Sequence, residues 1–462
     1  MPHLIIPSEI FRAYDIRGIV EESLTTAIVE EIGRAIGTTV LERGETSVVV
    51  GRDGRLSGPS LQNALSAGIL STGCDLVDVG MVPTPVLYFA THYLKIPSGV
   101  MITGSHNPAN YNGLKIMIGG QALFGEGILS LQALIQRRAY KNGKGCLVSQ
   151  DILEPYQEAI EKDIQLSRPL KVVVDCGNGV AGAVVPYIYQ ALGCEIIPLF
   201  CEVDGRFPNH HPDPGQPDNL QDLIHAVRLH KADIGLAFDG DGDRLGVVDD
   251  QGKIIWPDRQ LILFAKNVLA HHPKAKIIYD VKCTRHVKEA VAKLGGEPLM
   301  WKTGHSLIKA KMQETGALLA GEMSGHTFFK DRWFGFDDGL YTGARLLEIL
   351  SQESETTHAS DLFSSLPDSI NTPELSINVT EQNKFEDVQK LIALARFQDA
   401  HISTIDGLRV DFKDGFGLVR PSNTGPNLIL RFEGDTHAAL ERIQAEFRSL
   451  MLSVKPDWVL PF

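Results

Sequence analysis

The chain has 462 residues, of which 43% are apolar and 22% charged, and a formal net charge of −13 at pH 7. That length accommodates about three or four domains at ~100–200 residues each. No apolar run reaches the ~18 residues of a membrane helix, and the acidic balance opposes a nucleic-acid backbone, so neither a membrane nor a nucleic-acid partner is expected.

In chain order, the opening stretch MPHLIIPSEIFRAYDIRGIV is interrupted by Glu9, Arg12, Asp15 and Arg17 and shows no export signal. Six cysteines (Cys74, Cys146, Cys176, Cys194, Cys201, Cys283) have no C-x-x-C spacing, which points to reduced thiols in a cytoplasmic protein and away from structural zinc. Val/Ile-rich runs then alternate with helical-period stretches such as Leu61–Leu70 and Ile128–Arg138, the βαβ pattern of parallel sheets. The runs echo one another. SVVVGRDGR (47–55), KVVVDCGNG (171–179) and KIIYDVKCTR (276–285) form one set; GVMITGSHNP (99–108), IGLAFDGDGDR (234–244) and LLAGEMSGH (318–326) form a second. Three related α/β domains with mixed sheets explain both. Residues 351–374, polar and Ser/Thr-rich, are expected to be a linker or frayed surface segment. The remainder, with a helix from about Phe385, predicts a smaller C-terminal α+β domain with an antiparallel sheet. The expected divisions are 1–150, 151–252, 253–366 and 367–462, arranged around a central cleft.

Four polar stretches could carry chemistry. TGSHNP (103–108) sits at the tip of an apolar strand, where open α/β sheets bind ligands, although its composition is also that of a plain turn. DGDGDR (239–244) places Asp239, Asp241 and Asp243 at alternate positions, able to direct hard oxygens at one Mg²⁺. Without a cation, three such carboxylates repel. An EF-hand would need glycine where Arg244 stands, and an aspartyl nucleophile fits poorly with Asp243 two places after Asp241. GEMSGH (321–326), if extended, projects Glu322 and Ser324 to one side toward neighbouring sugar hydroxyls, with His326 there to move a proton. RPSNTGPN (420–427) offers Arg420, Ser422, Asn423 and Thr424 as a phosphate cradle, or is an ordinary turn between strands. KTGHS (302–306) and Lys282 are weaker signals of the same kind. The Pro-rich stretch 207–219, despite His210, His211 and Asp213, reads as an ordered surface loop.

TGSHNP, DGDGDR, GEMSGH and RPSNT, in that order and preceded by FRAYDIRG (11–18), resemble the α-D-phosphohexomutase family, in particular its bifunctional phosphomannomutase/phosphoglucomutase branch. The resemblance implies that Ser105 carries a phosphoryl group, that His106 helps hold it, and that Ser105, Asp239, Asp241 and Asp243 bind one Mg²⁺. Lys115 and Arg17 would serve as acid/base and charge stabiliser, with Arg244 beside the metal loop. Lys282, Thr303, Gly304 and His305 would read the sugar, Glu322 and Ser324 would bind its hydroxyls, and Tyr14 would stand nearby. Arg420, Ser422, Asn423 and Thr424 would hold the phosphate that does not react. The implied reaction moves phosphate between C1 and C6 of glucose or mannose through a hexose 1,6-bisphosphate, which also activates the enzyme, in a monomer. A mutase limited to one hexose or acting on glucosamine phosphate, an aspartyl-nucleophile phosphohydrolase and a non-catalytic phosphosugar-binding protein are the alternatives.

Overall fold

The structure, a computed structural model, describes residues 6–380, 382–423 and 425–462. The echo in the sequence becomes one strand order used three times. In the first sheet Ser47–Arg52 lies between Asp75–Met81 and Gly99–Ile102, both parallel to it, and Tyr111–Ile118 returns antiparallel beside Gly99–Ile102. Lys171–Asp175 is flanked likewise by Glu195–Leu199 and Ile234–Phe238, with Leu245–Asp249 antiparallel. Lys276–Asp280 repeats the arrangement with Glu297–Trp301, Leu319–Gly321 and the antiparallel Thr327–Phe329. The apolar runs are continuous because helices cover both sheet faces: all four residues of Gly99–Ile102 and all five of Ile234–Phe238 are buried.

This topology places the motifs. TGSHNP, DGDGDR and GEMSGH each follow the third strand of a repeat, at its carboxyl end, so the same structural position supplies three different loops to one cleft.

The first three domains share buried apolar surface. In helix Gly339–Gln352 every residue through Ser351 is buried. Its N-cap Asp338 accepts from the Tyr341 N–H at 2.9 Å and from the Tyr156 hydroxyl at 2.9 Å, while Tyr189 donates to the Leu340 carbonyl at 2.8 Å. The helix therefore fastens the second and third domains together. The segment 351–374 is not the frayed linker its composition suggests: Ala359–Ser364 is helical, with Ala359, Leu362 and Phe363 buried, and Ile370–Asn371 pairs with Asn427–Gly434. Three apolar side chains at helical spacing outweigh the polar majority around them.

The C-terminal sheet is antiparallel throughout, and helices Asn383–Leu394 and His437–Val454 close a separate core around Leu391, Phe432, Phe447 and Met451. Its seam with the third domain is largely polar. Arg409 donates to the carbonyls of Val281 (2.6 Å) and Cys283 (2.8 Å), and Arg431 to that of Lys282 (2.8 Å) and to Asp258 Oδ2 (3.1 Å). Such a seam permits more relative motion than a shared apolar core. Among the described residues, no helix is long and apolar enough to cross a membrane.

Candidate active site

Strand Gly99–Ile102 ends at Thr103, whose hydroxyl donates to Asp53 Oδ2 at 2.8 Å and accepts from the Ser105 N–H at 2.8 Å. Ser105 has φ +48°, the left-handed region that side-chain-bearing residues rarely occupy. Arg55 holds it there. Its buried guanidinium donates to the carbonyls of Ser105 (2.8 Å), Asn107 (2.6 Å), Pro108 (2.6 Å) and Tyr111 (2.9 Å), and to Asp53 Oδ2 (3.2 Å). Burial pushes the Asp53 carboxyl up and the Arg55 guanidinium down, and each offsets that cost for the other. Held so, Ser105 Oγ donates to Asp239 Oδ2 at 2.9 Å and lies 3.2 Å from His106 Nδ1. Arg17 approaches from strand Ile16–Ile19, which pairs with Tyr111–Ile118, donating to Asp15 Oδ2 (2.6 Å) and to the Gly104 carbonyl (3.3 Å). Burial, then Arg244 and Arg17, hold the His106 imidazole well below its ordinary range, so it is neutral.

The second domain presents Asp239, Asp241 and Asp243 with ligand atoms all within 4.8 Å of one another. Glycine is required at position 240, where a Cβ would stand 2.3 Å from the Ser105 carbonyl oxygen. Asp241 Oδ2 accepts from Thr84 Oγ1 (2.5 Å) and from Lys115 Nζ (2.7 Å), and Lys115 also pairs with Asp243 Oδ2. Asp241 Oδ1 and Asp243 Oδ1 are buried with no hydrogen-bond partner among the described residues. Burial and the neighbouring carboxylates hold Asp239 and Asp243 above the usual carboxylate range; for Asp241, burial is outweighed by Lys115 and Thr84 and the group is held below it. The Lys115 ammonium, although buried, is kept charged by Asp241 and Asp243. Orphaned carboxylate oxygens converging on one point fit a hard cation.

The third domain contributes through His326, whose Nε2 accepts from Arg244 Nε at 3.1 Å. The imidazole proton is thereby assigned to Nδ1, which faces Asp337 Oδ2 at 3.2 Å and Asp243 Oδ1 at 3.5 Å. Asp337 also pairs with Lys309 Nζ at 2.6 Å and lies 3.4 Å from His305 Nδ1; burial would raise it, but the Lys309 ammonium first, with the His305 and His326 rings beside it, holds it well below its ordinary range. Burial, then Lys309, lowers His305 and leaves it neutral, with the Tyr14 ring edge-on at 5.1 Å.

GEMSGH is a tight turn and not an extended segment, so Glu322, Ser324 and His326 do not project to one side by strand alternation. The Gly325 N–H donates to the Glu322 carbonyl at 3.1 Å, Gly325 has φ +101°, and Glu322 N–H donates to the His326 carbonyl at 2.9 Å. The strand ends at Gly321 because the return strand Thr327–Phe329 must pair with it. Glu322 is buried, accepts from the Gly304 N–H at 2.5 Å and is pushed up by that burial, while Ser324 is half-buried on the turn. Lys282 Nζ pairs with Glu374 Oε2 at 2.9 Å, and Thr303 Oγ1 donates to Asp280 Oδ2 at 2.8 Å.

From the C-terminal domain, Arg420 donates to Asp406 Oδ2 at 2.9 Å, and the same oxygen accepts from the Thr303 N–H at 3.0 Å. Asn423 Nδ2 donates to the Thr303 carbonyl at 3.0 Å, and Ser422 Oγ accepts from the Gly425 N–H at 3.3 Å. Thr424 lies outside the described residues. The stretch 207–219 is only partly a surface loop: His210 Nε2 contacts Asp175 Oδ2 at 3.0 Å, and His211 Nε2 contacts the His106 carbonyl.

Asp53, Arg55, Thr84, Lys309, Asp337, Glu374 and Asp406 are parts of this cleft that motif reading passed over. A signal existed for the first. Each strand of the first echo ends in an aspartate or is followed at once by one (Asp175, Asp280; Asp53), and that aspartate accepts hydrogen bonds from the loop following it. For Asp337 and Asp406 there was none, because nothing in their local sequence distinguishes them from ordinary surface acids.

Four family descriptions match the chain in order: phosphoglucomutase/phosphomannomutase alpha/beta/alpha domain I over residues 8–140, domain II over 154–252, domain III over 256–369, and the C-terminal domain over 374–450. The chain is 56% identical to the phosphomannomutase/phosphoglucomutase of Pseudomonas aeruginosa, covering 99% of this chain and 98% of that one. It is 53% identical to a protein of Neisseria gonorrhoeae named phosphoglucomutase, covering 99% of each. A crystal structure of a phosphoglucomutase/phosphomannomutase family protein from Burkholderia thailandensis superposes with a TM-score of 0.94 at 52% identity, over 99% of this chain and 100% of that one.

Proposed function

The chain belongs to the phosphoglucomutase/phosphomannomutase family, and on that premise we propose that its cleft interconverts the 1- and 6-phosphates of both glucose and mannose. Both names occur among relatives of nearly equal identity. The observation that carries the mechanism is Ser105 Oγ, 2.9 Å from Asp239 Oδ2 on a loop locked by Arg55. Ser105 is the phosphoryl carrier. Its phosphoryl passes to the free hydroxyl of a hexose monophosphate: the new O–P bond forms, the Oγ–P bond breaks, and one proton moves in net from the sugar hydroxyl to Oγ. Lys115, kept charged by Asp241 and Asp243, is the acid for that oxygen, and Arg17 and His106 hold the phosphoryl oxygens. Asp239, Asp241 and Asp243, with a phosphoryl oxygen on Ser105, would hold a Mg²⁺ ion, which when bound supplies Lewis-acid charge to the group in transfer. Arg244 and His326 tie this metal loop to the third domain.

The resulting hexose 1,6-bisphosphate turns round and returns its other phosphoryl to Ser105. We assign the phosphoryl carrier to residues 1–150, the metal loop to 151–252, sugar reading to 253–366 and the second phosphate clamp to 367–462. Lys282, Thr303, Gly304, His305, Glu322 and Ser324, near Tyr14, meet the sugar; Arg420, Ser422, Asn423 and Thr424 meet the non-reacting phosphate. We read the protein as a cytoplasmic monomer activated by the bisphosphate. Peptide mass mapping should find phosphate on Ser105 of the purified protein, and Ser105→Ala should abolish most turnover while the fold survives. Phosphate on another residue, or near-normal rates in the alanine variant, would refute the assignment.

A further inference from the structure

Two thiols meet under the metal-facing loop. Cys176 follows strand Lys171–Asp175, Cys201 lies just beyond the neighbouring parallel strand Glu195–Leu199, and their sulfurs are 3.6 Å apart. The backbone is bent to bring them together. Phe200 has φ +48°, and Gly177 and Asn178 have φ +49° and +60°. A bulky aromatic in the left-handed region is uncommon and costs free energy, which marks a position fixed by its surroundings. Cys201 is half-buried and Cys176 buried, so Cys201 is the more accessible of the two to a small oxidant. Burial and the Cys201 contact also push the Cys176 thiol well up, which makes it a poor first nucleophile.

We propose that Cys176 and Cys201 are a redox pair that closes to a disulfide under hydrogen peroxide and lowers turnover until a thiol reductant reopens it. Cys201 sulfur attacks a peroxide oxygen; the O–O bond breaks, the thiol proton leaves with the departing hydroxide as water, and a sulfenic acid remains. Cys176 sulfur then displaces the sulfenic hydroxyl, the S–S bond forms, and the Cys176 proton leaves with that hydroxyl as a second water. Two thiols are oxidised and one peroxide is reduced.

The bond draws the sulfurs to about 2.05 Å, and what surrounds them passes that movement on. The Cys176 carbonyl accepts from the Gly179 N–H at 2.7 Å, and Val180 N–H donates to the Gly240 carbonyl at 3.2 Å. Gly179 and Gly240 are packed so closely that a Cβ on Gly179 would be 3.0 Å from the Gly240 Cα. Gly240 lies between Asp239 and Asp241. On the other side, Asp175 holds His210, and the adjacent His211 contacts the His106 carbonyl. A contraction here shifts both walls around Ser105, and misplacement of a reacting group by ~1 Å costs roughly a hundredfold in rate.

The test uses the full chain carrying Cys146→Ser, which removes the exposed thiol. After hydrogen peroxide the intact protein is expected to be lighter by two hydrogens, and alkylation without reductant then leaves Cys176 and Cys201 unmodified in a single linked peptide. Turnover of the linked protein is lower by roughly tenfold to a hundredfold and recovers with dithiothreitol, whereas Cys201→Ser in the same background keeps its untreated rate and forms no link. Sulfinic acid on Cys201 without a link, or no mass change at all, overturns the pair; a linked protein that turns over at full rate overturns its control of the cleft. Only the turnover arm rests on the mutase reading, and the mass arm stands without it.

Discussion

Arg55 is the residue on which the Ser105 loop depends, and its removal has a calculable consequence. In Arg55→Met, four loop carbonyls lose their donor and the Asp53 carboxylate is left buried without its cation. Removing one partner of a buried ion pair costs about 3–5 kcal/mol. A chain of several domains does not unfold in one step, so the loss is best read locally, as native-state hydrogen exchange of the loop amides. Asn107 N–H, bonded to the Gly104 carbonyl at 2.9 Å, and Tyr111 N–H, bonded to that of Pro108 at 3.0 Å, report directly. At 1.4 kcal/mol per factor of ten, their exchange should quicken by roughly a hundredfold or more where opening limits it. Because the loop sets Ser105 and the proposed phosphate clamp lies in another domain, kcat should fall by roughly a hundredfold with KM little changed. Arg55→Lys should recover part of both, since an ammonium restores the charge but has three donors for five acceptors. Unchanged exchange in these amides together with a normal kcat would show that Arg55 does not hold the Ser105 loop in place.

Arg420→Ala should raise KM by roughly ten- to a hundredfold, for ~1.5–3 kcal/mol of lost charge-assisted contact, with kcat much less affected; a fall in kcat alone would place Arg420 at the reacting phosphate. Chelation with EDTA should stop turnover and magnesium restore it, and Asp241→Ala should not be rescued by magnesium; full activity in excess EDTA removes the metal from the mechanism. Galactose 1-phosphate should be used at least roughly tenfold to a hundredfold less efficiently than the glucose and mannose 1-phosphates, because an inverted O4 leaves a buried polar group at Glu322 unmet. That comparison of kcat/KM, made with saturating 1,6-bisphosphate, fails the Glu322 assignment if galactose 1-phosphate is used equally well.

Several features were fixed by local sequence alone. The three-fold echo predicted three sheets, and the repeated strand order bears it out, because a buried parallel strand must be an unbroken apolar run and the loop after it must be polar. Spacing within one loop was enough to bring Asp239, Asp241 and Asp243 together, since neighbours in sequence cannot separate far in space. Tertiary structure decided what depends on partners distant along the chain. Glu322 and Ser324 share a turn and not a strand face, because Thr327–Phe329 folds back onto Leu319–Gly321. Composition marked 351–374 as a linker, yet Ala359, Leu362 and Phe363 find an apolar surface to bury against. Lys115 is a strand residue indistinguishable from a solvated lysine until the second domain sets Asp241 and Asp243 against it. Glu374 meets Lys282 of the third domain in the same way, whereas Asp337 and Asp406 meet Lys309 and Arg420 of their own domains, brought to them by folding over 28 and 14 residues of chain. A charge takes its meaning from the counter-charge and burial it meets, and for Lys115 and Glu374 those are supplied across domain boundaries that no local pattern encodes.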